Sequence, residues 1–246
     1  MALPIAVIPS RYGAVRFPGK PLALLAGRPL VQHVWQRCQE SQAFGRVIVA
    51  TDDTRIAETV KSFGGEVVLT SSQCANGTER VAEVARSLAS EDVFVNVQGD
   101  EPLVHPEALQ TLTSAFADAT VNFATLVRVL DEAERPNPNV VKVVLAANGD
   151  ALYFSRADIP FLRGPPPAGF KRWAHLGLYG YRRTTLLRLA SLPPSPLEQA
   201  ESLEQLRALE NGIPIRCLVT THRSFGIDTP EDLAKAEAQL RQAASR

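Results

Sequence analysis

Leu3-Pro4-Ile5-Ala6-Val7-Ile8-Pro9-Ser10-Arg11-Tyr12-Gly13 is the stretch on which the reading of the fold turns. An apolar run without polar alternation breaks abruptly into a polar loop that carries glycine. A strand that is apolar on both sides belongs in a sheet covered on both faces, which is the habit of parallel sheets. The pattern recurs downstream at residues 46–50, 66–69 and 93–97. Between these runs, Leu30, Val31, Val34, Trp35 and Cys38 follow helical spacing, as do residues 54–62 and 79–88. Strands alternating with amphipathic helices predict an α/β fold with a mainly parallel sheet and helices on both faces. In such sheets ligands bind beyond the carboxyl ends of the strands, so the loops after the first and fourth strands are the places to look.

The second half is less regular. Residues 122–130, 140–145, 151–155 and 176–181 read as strands, with Pro136 and Pro138 marking the turn between the first two. Pro165-Pro166-Pro167 marks residues 163–169 as an exposed loop or lid. The expected organisation is one domain, 1–246, with a smaller mixed subdomain inserted at about 130–215. Ser195-Pro196-Leu197-Glu198 and Thr229-Pro230-Glu231-Asp232 each offer an N-cap, a first-turn proline and an acidic third residue, so both should open helices.

The 246 residues are 45% hydrophobic and 21% charged, which is ordinary globular usage and excludes general disorder. Twenty-six Lys and Arg balance twenty-six Asp and Glu, which argues against a protein held to nucleic acid by bulk charge. No apolar stretch approaches the ~18 residues of a membrane span. The apolar start lacks a basic residue ahead of it and reads as a strand, not a signal peptide. The three cysteines are scattered; Cys38 and Cys217 read as buried free thiols, in keeping with a reducing cytoplasm.

Five segments carry chemistry. After strand one, Arg11, Arg16 and Lys20 fall in a loop with Gly13 and Gly19. Such a loop can surround a polyphosphate, although by itself it also reads as a solvated basic loop. It is not a Walker A loop, because Pro21 follows Lys20, and it is not a dinucleotide fingerprint. After strand four, Asn96-Val97-Gln98-Gly99-Asp100-Glu101-Pro102 places an acid where Mg²⁺ can meet phosphate oxygens, or where it merely caps a turn. Asp228 precedes a helix and either favours its dipole or supplies a second carboxylate. Asn76-Gly77-Thr78-Glu79 has the form of a capping box, with backbone near Gly77 able to read a base edge in addition. Finally, on a strand His175, Gly177, Tyr179 and Tyr181 share one face. Together with Arg156, Glu204 and Gln205 they can grip a polyhydroxylated acid, while His175 alone reads as an ordinary strand histidine. Glu198, Glu201 and Gln205 are expected near one another on a helix.

Taken together and in order, these segments resemble the 3-deoxy-manno-octulosonate (KDO) cytidylyltransferase family. The likeness runs from Ile8-Pro9-Ser10-Arg11-Tyr12 to Asp228-Thr229-Pro230-Glu231-Asp232-Leu233 and includes Arg16-Phe17-Pro18-Gly19-Lys20-Pro21-Leu22. Asn76 stands where relatives usually carry Ser, and Ala174 where a basic residue commonly precedes the histidine. The resemblance implies a nucleotide-diphospho-sugar transferase-like fold and a cytoplasmic homodimer. It implies Mg²⁺-dependent transfer of CMP from CTP to the anomeric hydroxyl of KDO, with release of pyrophosphate, for lipopolysaccharide biosynthesis. On the CTP side it implies Ser10, Arg11, Arg16, Lys20, Asn76, Gly77, Thr78 and Arg80. Lys20, Asp100, Asp228 and Arg16 are implied as the catalytic set, with Asp100 and Asp228 holding the metal. On the sugar side it implies Gln98, Arg156, His175, Tyr179, Glu204 and Gln205. A sister enzyme acting on an amino analogue of KDO or on sialic acid is the nearest alternative. A glycosyltransferase would typically show a DxD motif, but Asp100 is followed by Glu101-Pro102; a non-catalytic nucleotide-binding regulator is the remaining rival.

Overall fold

The structure is a computed structural model, and it describes residues 2–13, 17–223 and 226–244. In chain order its elements are β1 (Ile5–Pro9), β2 (Leu24–Leu25), β3 (Arg28–Pro29), α1 (Leu30–Ser41), β4 (Arg46–Thr51), α2 (Thr54–Ser62), β5 (Glu66–Leu69), α3 (Gly77–Ser87), β6 (Val93–Asn96) and α4 (Pro106–Ser114). There follow β7 (Phe123–Val129), β8 (Lys142–Leu145), β9 (Ala151–Ser155), β10 (Trp173–Arg182), α5 (Arg183–Ser191), α6 (Pro196–Glu201), α7 (Gln205–Glu210), β11 (Arg216–Val219) and α8 (Pro230–Ala244). The chain divides into two compact units, Met1–Gln110 with Ser224–Arg246, and Thr111–Arg223.

The first unit holds the parallel sheet. β1 pairs in parallel with β4 on one side and with β6 on the other, and β4 pairs in parallel with β5. Ile5, Ala6, Val7 and Ile8 are all buried, as unbroken apolar sequence requires of a central strand. Successive steps from β1 to β4 to β5 move outward in one direction, and the step from β5 to β6 returns across β1. Right-handed crossovers then place α1 and α2 on one face and α3 on the other. The reversal lies between β1 and β6, so the crevice at their carboxyl ends is the topological switch point. The loops that leave those two ends are residues 10–23 and 97–105.

The second unit is mixed. β11 pairs in parallel with β7, whereas β7 with β10, β10 with β8 and β8 with β9 are antiparallel. Residues 163–169 are exposed and outside regular structure. Lys142 on β8 is fully buried, and its ammonium donates to the carbonyls of Asn137 (2.8 Å), Val140 (2.9 Å) and Arg156 (2.8 Å). Burial pulls its pKa below the usual lysine value. It is a cross-brace between the 137–140 turn and the end of β9. Lys142→Met keeps the stem and removes the donors, leaving those carbonyls without their partner. We expect a loss of about 3 kcal/mol, read as a lower urea midpoint; a loss below about 1 kcal/mol would mean that water replaces the ammonium.

Both predicted capping boxes open helices. At α6 the Ser195 amide donates to the Glu198 carboxylate (3.0 Å), and at α8 the Asp232 amide donates to Thr229 Oγ1 while that hydroxyl donates to Asp232. One local expectation is corrected. Glu198, Glu201 and Gln205 do not share a helix, because α6 stops at Glu201 and Ser202 turns left-handed (φ 51°) before Gln205 begins α7. A left-handed residue reverses the chain, so the helical spacing does not carry across it. Cys38 and Cys217 are buried free thiols; burial pushes the Cys217 thiol up to about 12. Among the described residues no helix is long and apolar enough to cross a membrane.

Candidate active site

At the switch point of the first unit lies a cavity of about 400 Å³. Ser10, Arg11, Lys20, Asn76, Gly77, Arg80, Gln98, Asp100 and Asp228 line it, together with Pro9, Phe17, Pro21, Cys74, Ala75 and Gly99.

Lys20 owes its position to the loop that carries it. The Gly19 amide donates to the Tyr12 carbonyl (2.8 Å), which fixes Gly19 against the end of the first strand's loop. Gly19 is left-handed (φ 72°), and a Cβ there would sit 3.2 Å from the Tyr12 ring, so glycine answers both demands. Lys20-Pro21-Leu22 then forms one 3₁₀ turn on buried Pro21. The Tyr12 ring also carries the Arg55 guanidinium, 3.4 Å from its centroid. Arg16 lies outside the described residues.

The loop after β6 approaches still more closely. A Cβ on Gly99 would lie 2.8 Å from the Pro9 carbonyl oxygen and 3.0 Å from Ser10 Oγ. Only glycine lets the two strand ends come this near, and that approach sets Asp100 beside the Lys20 turn.

Asp228 arrives from the far end of the sequence. Ile227 is fully buried in a cluster with Leu25, Leu30 and Ala236, against which Leu103 and Leu233 pack. Its amide donates to the Asp100 carbonyl (2.8 Å). These two anchors hold the neighbouring carboxylate in place. The Lys20 ammonium donates to Asp100 Oδ2 (2.7 Å) and to Asp228 Oδ1 (3.2 Å). Two acids 128 positions apart in sequence therefore share one cation.

Arg11 is exposed at the cavity. Arg80 is buried, held by Asp52 (3.3 Å) and by Thr70. Asn76 caps α3 by accepting from the Glu79 amide (2.8 Å), and Glu79 reaches back to the Ala75 amide (2.8 Å). Gly77 follows at the cavity wall, where a Cβ would press on Pro9 at 3.3 Å. Thr78 is buried and is not a lining residue. Gln98 lies among the lining residues of this first unit, whereas the other residues expected on the sugar side belong to the second.

In the second unit, the Tyr179 hydroxyl donates to Gln205 Oε1 (3.1 Å). Gln205 is buried, and its Nε2 has no partner among the described residues. The two ends of an amide exchange freely in assignment, so in either orientation one buried polar atom remains to be satisfied. His175 stands beside Tyr179, with ring centroids 5.4 Å apart, and meets the edge of Phe154 at 5.0 Å. Burial pushes its pKa down to about 3, so the ring is neutral at physiological pH. Glu204 sits at the N-cap of α7. The Arg156 guanidinium donates to the carbonyls of Glu201 (2.7 Å), Pro138 (3.0 Å) and Ser202 (3.2 Å).

Sequence reasoning passed over Gly99's contact role, Asp52, Thr125 and Tyr12. Gly99 stood within a quoted motif, and its meaning needs the neighbouring strand. A threonine in a strand, such as Thr125, carries no local signal at all.

A family model described as "Cytidylyltransferase" matches residues 5–216. The 3-deoxy-manno-octulosonate cytidylyltransferase of Myxococcus xanthus is 58% identical over 237 residues, covering 96% of each chain. The enzyme of the same name from Nitratidesulfovibrio vulgaris (strain DP4) is 52% identical, with 92% of each chain covered. A solved structure of CMP:2-keto-3-deoxy-manno-octonic acid synthetase complexed with CTP is 40% identical, covers 98% of this chain and 100% of its own, and superposes with a TM-score of 0.92. With a family match over most of its length, and with a switch-point cavity where two acids meet a lysine, this chain belongs to the cytidylyltransferase family of nucleotidyltransferases.

Proposed function

We propose that this chain transfers CMP from CTP to the anomeric hydroxyl of KDO, releasing pyrophosphate. The observation that carries the reading is the meeting of Asp100 and Asp228 at Lys20, in a chain 58% identical to a relative named for this activity. The sugar oxygen attacks the α-phosphorus as the bond to the bridging oxygen breaks, and no covalent enzyme intermediate is needed. The work of the protein is alignment and stabilisation of charge. Lys20 and Arg11, with Arg16, stabilise the negative charge gathering on the departing pyrophosphate. Gly77 and its neighbours offer backbone groups to the cytosine. On the sugar side, Tyr179, Gln205 and neutral His175 suit hydroxyl groups.

The donor set suits a divalent cation. Two carboxylates already converge on one positive charge, and oxygen ligands of this kind favour Mg²⁺. Asp100 and Asp228 would hold the ion, which when bound neutralises the α-phosphate and lowers the pKa of the attacking hydroxyl. KDO activated in this way feeds lipopolysaccharide synthesis. A homodimer also follows from this reading; among the described strands β9 pairs with β8 alone, and Leu152 and Phe161 are exposed.

Pyrophosphate release tests the assignment. Four nucleoside triphosphates should be crossed with KDO, its amino analogue and sialic acid. CTP with KDO should exceed every other pair by about tenfold or more in kcat/KM. A higher value for sialic acid or for the amino analogue would transfer the assignment to the sister activity. Light scattering on the same sample should give twice the chain mass of 26.7 kDa; the mass of a single chain would remove the dimer.

A further inference from the structure

Thr125 on β7 is fully buried, and its hydroxyl oxygen has three polar neighbours. They are the Leu178 carbonyl at 2.8 Å, the Leu176 carbonyl at 3.2 Å and His175 Nε2 at 2.9 Å. A hydroxyl has one proton to donate, and carbonyl oxygens can only accept. The proton therefore goes to the carbonyls. The reason they need it lies in the ladder. The pairing of β10 with β7 slips between Leu176 and Tyr179, so Gly177 and Leu178 have no partner residue in the β7 register, and the Leu178 carbonyl meets the Thr125 side chain. With its proton committed, the Thr125 oxygen can only accept from the third neighbour, so Nε2 must carry the hydrogen. The opposite arrangement would set buried lone pairs against each other at both carbonyls.

The groups that face the imidazole do not favour a second proton. Phe154 of β9 presents a ring, Tyr179 of β10 presents another, and β7 presents the Thr125 hydroxyl. None of them is a carboxylate, and burial holds the ring neutral. A neutral ring protonated on Nε2 leaves Nδ1 with a lone pair. Among the described residues no hydrogen bond reaches Nδ1, and His175 keeps part of its surface exposed.

We propose that Thr125 is a positioning residue that holds His175 as the Nε2–H tautomer and so presents Nδ1 as a hydrogen-bond acceptor for a hydroxyl of the sugar acid. The choice of hydroxyl donor rests on the functional reading above. An uncharged acceptor has a consequence for selection: it takes an O–H and repels a carboxylate, so the acid group of the substrate must bind elsewhere.

The tautomer can be read in the free protein. Long-range ¹H–¹⁵N correlation of the full-length ¹⁵N-labelled chain distinguishes a protonated from an unprotonated ring nitrogen. Among the four histidines, the signals lost in His175→Gln assign those of His175. The wild type should show His175 protonated on Nε2. Thr125→Val should bring an Nδ1–H population and raise KM for the sugar acid by about tenfold, with KM for CTP unchanged within about twofold. Thr125→Ser restores the hydroxyl and should restore both readouts. A wild type protonated on Nδ1 overturns the proposal. So does a valine variant whose tautomer is unchanged, because a KM change would then come from packing. A shifted tautomer with unchanged sugar KM likewise removes the link to the substrate. If the valine variant does not fold, the wild-type and serine spectra still decide the tautomer. If no sugar acid is turned over, the functional reading fails while the spectrum continues to judge Thr125.

Discussion

Asp100→Asn is expected to lower kcat by about a thousandfold while leaving the fold intact. The two side chains are nearly isosteric, so the change removes charge and little else. The Asp100 carboxylate is 30% exposed and its bond is to Lys20, which keeps Asp228 as a partner. The contact that anchors the Asp228 segment uses the Asp100 backbone carbonyl, which the substitution leaves in place. The melting temperature should therefore stay within a few degrees, as is usual for a part-exposed polar replacement. The loss should fall on turnover, because a carboxylate that holds a cation against the α-phosphate matters most where charge builds up during transfer. Pyrophosphate release under saturating CTP and sugar acid is the measurement. Turnover within about tenfold of wild type would rule Asp100 out as a metal ligand.

Lys20→Ala is expected to reduce kcat/KM for CTP by about a hundredfold or more, with KM for the sugar acid changed by less than about threefold. Its ammonium is the single described cation that touches both carboxylates, and its side chain is only 14% exposed. Truncation leaves two acids facing each other and removes a point charge from the proposed triphosphate site. The asymmetry between substrates is the informative part. Lys20 and the cavity belong wholly to the first unit, whereas Tyr179 and His175 belong to the second. Equal losses for both substrates would move Lys20 away from the phosphates and make it a structural brace between the acids.

The elements most readable in the chain were those with a strong local pattern. β1, β4, β5 and β6 fall within a residue or two of the predicted runs, and α2 at Thr54–Ser62 coincides with its pattern. A strand buried on both faces, such as β1, needs only an apolar run, and a run is visible in one dimension. The α6–α7 break was not readable. Glu198, Glu201 and Gln205 fit one helix by spacing, but Ser202 takes a left-handed turn that serine does not advertise. The alternation of His175, Tyr179 and Tyr181 pointed to one face, and the ring contacts along β10 place them together. The bulge at Gly177–Leu178, which commits the Thr125 proton, left no mark in that alternation. The sequence marked Arg156 as a cation for the sugar side, and it gave no sign of the three carbonyls to which the guanidinium donates.

The amino-acid order by itself determined the alternation of strands and helices, the switch point that follows from it, and the identity of the acids and cations near the strand ends. These are properties of local pattern and of chain direction, and neither needs long-range contact to be read. Only the tertiary structure decided that Asp228 stands beside Asp100. That meeting depends on Ile227 burying itself against Leu25 and Leu30, on its amide reaching the Asp100 carbonyl, and on Gly99 having no Cβ to hold the loops apart. Convergence of distant carboxylates is a consequence of packing, which no spacing along the chain encodes.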